Sequence, residues 1–264
     1  MNNASVARIS ALDAVTDNVR PSEKLSADLF GIADVLAAQP TLRRTLSDPG
    51  MPEAVRVELI DELFGASIHP DAAAVLREAA RLRWASAGGF LAAVERQAVR
   101  AVLRSADAAG TLDEVEDQLF KVERLVAGAP ELLAALTDRR VPVEGRAGLL
   151  ADVLGSAVLP AVTALAVRAV AARERPFGAT VEGYLALAAG LKEQAVATVV
   201  VAAPLQPAQL ARLTAILAKQ AGRDVHVRTV IDPTVLGGVR VTIGDEVIEG
   251  TVAARLTDAH RKLG

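Results

Sequence analysis

Three histidines, at 69, 226 and 260, are the side chains of this 264-residue sequence best suited to metal or proton chemistry. None has a second histidine or a carboxylate at a ligating interval such as His-Glu-x-x-His, so they read as solvent-facing or surface residues. The chain has no cysteine, which removes disulfides, thiol nucleophiles and cysteine-held zinc and fits a reducing compartment. There is no Gly-x-Ser-x-Gly elbow, and the remaining nucleophiles have no evident base. Gly237-Gly238 has the look of a phosphate loop. Such a turn follows a strand and opens a helix, however, and these glycines lead into a strand with no Gly-Lys-Ser/Thr behind them. They read instead as a backbone device, allowing a positive φ, a bulge or a close approach. Asp48 and Asp138 read as loop residues capping the next turn. Arg77, Arg81, Arg83, Arg100 and Arg104 gather around Trp84 and read as a solvated helix face, or alternatively as a docking surface for an acidic partner. No catalytic, cofactor-binding or metal residue emerges.

Composition narrows the choice of partner. Twenty-nine basic and 32 acidic residues give a net charge of −3, which exerts no bulk pull on nucleic acid or anionic lipid. Five Phe, one Trp and one Tyr are too few to build base-stacking platforms. Met1–Arg8 lacks a basic segment followed by an apolar one, the mark of a secretory signal. The longest uncharged stretches, Val153–Val167 and Ala195–Ala211, fall short of the roughly 20 apolar residues a membrane span needs, and Pro160, Pro204 and Pro207 interrupt them. A soluble protein is expected, without direct membrane insertion, whose association with any membrane comes through a partner.

The elements that would position these residues follow from periodicity. Between about 21 and 190 the apolar residues keep helical spacing: Leu25, Leu29, Ile32 and Leu36 form one stripe, and Leu112, Val115, Leu119, Val122 and Val126 another. Pro21-Ser22, Pro52-Glu53, Pro70-Asp71 and Thr111 with Glu114 mark helix starts. An internal repeat runs at an offset of 90 residues: Pro40/Pro130, Asp48/Asp138, Pro52/Pro142, Arg56/Arg146, Gly65/Gly155 and, further back, Phe30/Phe120. A period this long is a duplication of a helical block and not a short solenoid unit. Near residue 195 the period changes. Ala195–Ala203 reads as a strand, Pro207–Ala221 as a helix, Asp224–Val230 as a strand, and Leu236–Ile243 with Val247–Thr251 as a hairpin. A short helix is expected over Ala253–Leu263. The predicted fold is mainly α, with a duplicated N-terminal helical bundle region and a small α+β C-terminal domain. Residues 191–264 carry 9 basic and 7 acidic side chains (+2), against 20 and 25 (−5) for residues 1–190, so the two parts face different partners.

The tail is the most distinctive text. Val230–Val252, with Asp232-Pro233, Leu236-Gly237-Gly238-Val239-Arg240-Val241 and Gly244-Asp245-Glu246-Val247-Ile248-Glu249-Gly250, closely resembles the C-terminal signature of the F-type ATP synthase delta subunit. That family is the bacterial counterpart of the oligomycin-sensitivity-conferring protein. Pro130-Glu131-Leu132 through Leu136-Thr137-Asp138 is similar to it as well, and the extra helical copy resembles the longer actinobacterial form. The resemblance implies a noncatalytic stator subunit of a proton-translocating synthase, with no cofactor. Its helical domain would grip amphipathic N-terminal helices of alpha subunits, and its C-terminal domain would bind the peripheral-stalk b subunit at the cytoplasmic face of the cell membrane. Architectural roles are implied for Asp232, Pro233, Gly237, Gly238, Asp245 and Gly250. The expected sections are an N-terminal segment (1–20), a first helical block (21–106), a second, family-like block (107–190) and a stalk-binding α+β domain (191–264). A freestanding helical scaffold outside any synthase is the alternative.

Overall fold

The computed structural model describes residues 3–172, 175–194, 196–202, 205–221, 225–232, 238–243 and 246–251. The chain divides into two compact units, Met1–Ala188 and Ala189–Gly264. It is mainly helical, with a small sheet confined to the second unit.

The first unit opens with α1 (Asn3–Asn18), α2 (Glu23–Ala38), α3 (Pro40–Ser47), α4 (Glu53–Phe64), α5 (Pro70–Arg81) and α6 (Ala87–Ala108). It continues through α7 (Leu112–Ala127), α8 (Pro130–Thr137), α9 (Val143–Leu154), α10 (Pro160–Ala171) and α11 (Phe177–Gln194), the last running past the unit boundary. The 90-residue offset reappears in the helix ends. α3 and α8 start at 40 and 130, α4 and α9 at 53 and 143, α5 and α10 at 70 and 160, and each pair ends 90 apart as well. The stripes read from the sequence are buried as expected, from Leu25 to Leu36 on α2 and from Leu112 to Val126 on α7.

α6 accounts for the way the two copies join. Its start at 87 lies 90 residues before the start of α11 at 177, so it is the sixth helix of the first copy. Its end at 108 lies 90 residues after the end of α1 at 18, so it is also the first helix of the second. The copies therefore overlap in one helix, and the boundary expected at 106/107 falls inside it. Seven consecutive residues, Gln97 to Leu103, are buried, which no helix with a solvent-facing side shows. Phe90, Ala93, Val94, Ala98 and Ala101 belong to the first core, with Leu12, Leu29, Ile60, Leu76 and Trp84. Val99, Val102, Leu103 and Ala106 are buried outside that cluster, and α6 packs on α7 and α10 of the second copy. The N-terminal segment correspondingly belongs to the first copy, as α1.

Local chemistry sets the helix ends. The Ser22 side chain accepts from the Leu25 N–H at 3.1 Å, as an N-cap should. The capping box expected at Thr111 and Glu114 does not form. The Thr111 hydroxyl instead donates back to the Ala106 carbonyl at 3.3 Å, finishing α6 instead of starting α7. Gly65 and Gly155 end α4 and α9 for different reasons. A side chain at Gly65 would put Cβ 2.5 Å from the Asp61 carbonyl oxygen, whereas Gly155 adopts φ +51, which L-residues rarely tolerate.

The second unit contains β1 (Val196–Val201), α12 (Pro207–Ala221), β2 (His226–Ile231), β3 (Gly238–Ile243) and β4 (Glu246–Thr251), in sheet order β2-β1-β3-β4. β1 runs parallel to β2 through the α12 crossover and antiparallel to β3, which pairs in turn with β4 as the expected hairpin. Ala197, Val199 and Val201 alternate inward and meet Val225, Val241 and Leu217 in a small core. The helix expected over Ala253–Leu263 lies outside the described residues.

Candidate partner-binding surfaces

The sequence singled out arginines around Trp84, and the structure disperses them. Trp84 is buried, donates its indole N–H to the Ala79 carbonyl at 2.7 Å and meets Phe90 edge-on at 6.2 Å between ring centroids. The cation over its ring is Arg8 of α1, at 5.8 Å. Arg77 pairs with Asp61 at 2.6 Å and Arg81 with Glu78 at 3.3 Å. Arg100 and Arg104 point at α1. Arg100 is 1% exposed and donates to Asp17 through Nε at 2.9 Å and a second nitrogen at 2.7 Å. Arg96 and Gln97 both hold Asp13, Gln97 at 2.8 Å. Arg104 donates to carbonyls at and just past the end of α1: those of Thr16, of Asp17 at 2.7 Å and of Val19 at 3.1 Å. This fork satisfies carbonyls that a helix C-terminus leaves open and places positive charge at its negative end. Arg81 and Arg83 stay exposed, as a solvated face would be, whereas Arg100 and Arg104 are turned against α1 and offer no surface to an acidic partner. Desolvating Arg100 offsets much of its attraction to Asp17, so the network serves chiefly to fix the register of α1 on α6.

The paired residues of the repeat prove structural. Asp48 and Asp138 each accept a backbone N–H two residues on, from Gly50 at 2.8 Å and Arg140 at 3.0 Å. The Arg140 guanidinium holds the Asp138 carboxyl below the ordinary carboxylate range. Arg56 and Arg146, whose role the sequence left open, reach back to carbonyls ending the preceding short helix. Arg56 donates to Asp48 O at 3.2 Å and Arg146 to Leu136 O at 2.9 Å.

His69 caps α5 through Nδ1, which accepts from the Asp71 N–H at 3.3 Å. Its own N–H donates to Asp28 on α2 at 2.7 Å. Burial opposes ionisation of Asp28, but the Lys24 ammonium and the His69 N–H outweigh it and hold the carboxyl below its ordinary value. A group lowered on folding contributes stability above its unfolded pKa and loses it as pH falls through the folded one. Asp28→Asn is therefore expected to lower stability on the neutral side, above about pH 4, and to leave the most acidic points little changed, so that the acid limb of the stability curve flattens. Urea titrations from pH 2 to 7 measure this.

Among the described residues there is no group of three or more His, Asp or Glu able to hold a metal. No described helix is long and apolar enough to cross a membrane. A groove of about 520 Å³ beside α4 is lined by Glu53, Glu58, Asp61 and Glu62 over Ala54 and Val57, with Arg81 at its edge. It holds no nucleophile with a base and is open to solvent. In the tail, the Asp232 N–H donates to the Val201 carbonyl at 2.9 Å, closing the β1–β2 ladder. Gly238 opposes Thr251 and Gly250 opposes Val239 across the hairpin. Pro233, Gly237 and Asp245 lie outside the described residues. Exposed apolar side chains include Val35, Leu63, Phe120, Leu125 and Val153 on helices and Val230 and Ile231 on β2.

Residues 94–263 match the model of the ATP synthase delta (OSCP) subunit family. A curated ATP synthase subunit delta from Cutibacterium acnes is 39% identical over 253 residues, covering 96% of both chains. One from Streptomyces avermitilis is 39% identical over 268 residues (98% of this chain, 96% of that one), and one from Streptomyces griseus 37% over 269 (100% and 99%). The chain belongs to the ATP synthase delta (OSCP) subunit family, in a form shared with these actinobacterial relatives. The family match begins inside α6, while the relatives extend over nearly the whole chain. The first helical copy is therefore common to them.

Proposed function

We propose that this chain is a noncatalytic stator subunit of a proton-translocating F-type ATP synthase. It would join the catalytic head, through N-terminal helices of alpha subunits, to the b subunit of the peripheral stalk at the cytoplasmic face of the cell membrane. The observation that carries this reading is similarity to ATP synthase delta subunits over nearly the full length of both chains. The mechanism is mechanical. Proton flow turns the rotor, and an untethered head would turn with it and form no ATP. A tether under torque needs slow dissociation. Nanomolar binding corresponds to roughly −12 kcal/mol, and two linked contacts reach it more readily than one. Helix-in-groove docking suits the helical unit, and the sheet unit supplies a separate surface.

Affinity purification of the full chain from its own cells is expected to recover alpha, beta and b subunits in fixed ratio. A clean preparation without them sinks the proposal and favours a freestanding scaffold. The sheet assignment has its own test. Gly238→Val puts a branched residue at the first position of β3, opposite Thr251, and is expected to weaken b binding while the helical unit keeps its far-UV dichroism. Unchanged b affinity would remove the sheet from the stalk contact.

A further inference from the structure

The two helical copies meet away from the shared helix as well as on it. Arg168 of α10, in the second copy, lies over the ring of Phe30 of α2, in the first, at 5.1 Å. It pairs with Asp34 of α2 and with Glu95 of α6. The arginine is largely buried, whereas Asp34 is exposed. Desolvation opposes the guanidinium charge, but the two carboxylates raise its pKa above the ordinary value. Phe30 is anchored in turn against the first core. Tyr184 of α11 stands in the same cluster: burial and the Glu95 carboxylate push its hydroxyl well above the ordinary phenol value, with Arg168 pulling the other way.

The 90-residue repeat separates what builds a copy from what joins the two. Positions that shape helix ends keep their residue, as Pro40/Pro130, Asp48/Asp138 and Arg56/Arg146 do. The charged members of this contact do not: Arg168 answers to Glu78, Asp34 to Arg124 and Glu95 to Leu185. Glu78 stays within its own copy, paired with Arg81 at 3.3 Å. The ring position is kept, but Phe30 lies under Arg168 while its mate Phe120 is exposed. Charges found only where the copies face each other serve the junction and not the fold of either copy.

We infer that Arg168 is a latch between the copies, fixing the turn of one against the other about the long axis of α6. A helix held in common keeps the copies attached, but packed helices still slide past one another by small amounts. A contact off the common axis removes that freedom, and Arg168 supplies one by reaching α2 from α10. A guanidinium suits the task, since it is planar, offers donors to two carboxylates at once and lays a flat face on the ring. With the latch made, the surfaces carried by the two copies are presented at one angle. The latch lies within the chain and acts whether or not the stator reading holds.

The chain has no cysteine, so Glu62→Cys on α4 and Asp152→Cys on α9, both at exposed positions, take a spin-label pair in the full chain. α4 packs on α3 and α5, and α9 on α8 and α10, so a turn about α6 moves both labels. Pulsed dipolar spectroscopy is expected to give one narrow distance distribution when Arg168 is present. Arg168→Met keeps an apolar stem and removes the charge, and should broaden that distribution by about twofold or more as the helices slide, with far-UV dichroism unchanged. Arg168→Lys keeps the charge but not the planar fork and should fall between the two. Asp34→Lys, at an exposed position, sets like charge against Arg168 and should broaden the distribution as well, which decides the matter even if Arg168→Met fails to fold. A native width in Arg168→Met or in Asp34→Lys overturns the inference. So does a distribution in Arg168→Lys as broad as that in Arg168→Met.

Discussion

Asp17→Ala is expected to destabilise the helical unit by about 3 kcal/mol or more, because it leaves a guanidinium buried without its main counter-charge. Arg100 is 1% exposed and Asp17 holds it at 2.7 and 2.9 Å. With Asp17 gone, the next carboxylate is Asp13, 3.8 Å away and already engaged by Arg96 and Gln97. Removing the other partner is a different experiment. Arg100→Met keeps most of the buried volume, removes the buried charge, and leaves Asp17 partly solvated and 3.3 Å from Arg104. That variant is expected to cost less than about 1.5 kcal/mol, the range of volume-conserving core changes. Urea melts of the two variants at pH 7 give the comparison. Equal losses, or a larger loss in Arg100→Met, would mean that the network is not the buried charge pair described. Hydrogen exchange adds a spatial check: in Asp17→Ala, α1 should lose protection first, since the residues clamping its last turn all lie on α6.

The second large effect concerns the shared helix. Ala98→Pro breaks α6 at its most enclosed stretch, at about 3 kcal/mol for the helix interior alone, before any displacement of the packed neighbours. Because α6 belongs to both copies, α2 and α7 should lose exchange protection together, in one transition. The analogous break in α4, Val57→Pro, touches a helix of the first copy only and should spare α7. If Ala98→Pro exposed the first copy and left α7 protected, the two copies would be separate bundles that merely abut. The design has a mechanical consequence for a tether. Two bundles that share a packed helix have no linker between them to bend, so they transmit force as one body.

Much of this architecture was legible in the text of the chain. The stripes of α2 and α7 required only a 3.6-residue period. The 90-residue repeat survived because prolines, glycines and aspartates at helix ends do jobs that few other residues can. The strands and hairpin of the tail announced themselves by β-branched runs and Gly-containing turns, and the family by its tail signature.

What the sequence could not yield is the side-chain environment. α1 escaped notice because its inward face carries Asp13, Thr16 and Asp17 beside Ile9 and Leu12, so the apolar period is broken where α6 presents Arg96, Arg100 and Arg104. Arg100 and Arg104 looked like surface charge for the complementary reason. A charge pair is invisible in sequence when 83 residues separate its members. Periodicity reports how one element meets water, and it falls silent on an element such as α6 that meets protein on every side. Which charges are buried, which helix serves two copies, and which phenylalanine of a repeated pair is left uncovered are properties of contacts distant along the chain, and only the folded molecule decides them.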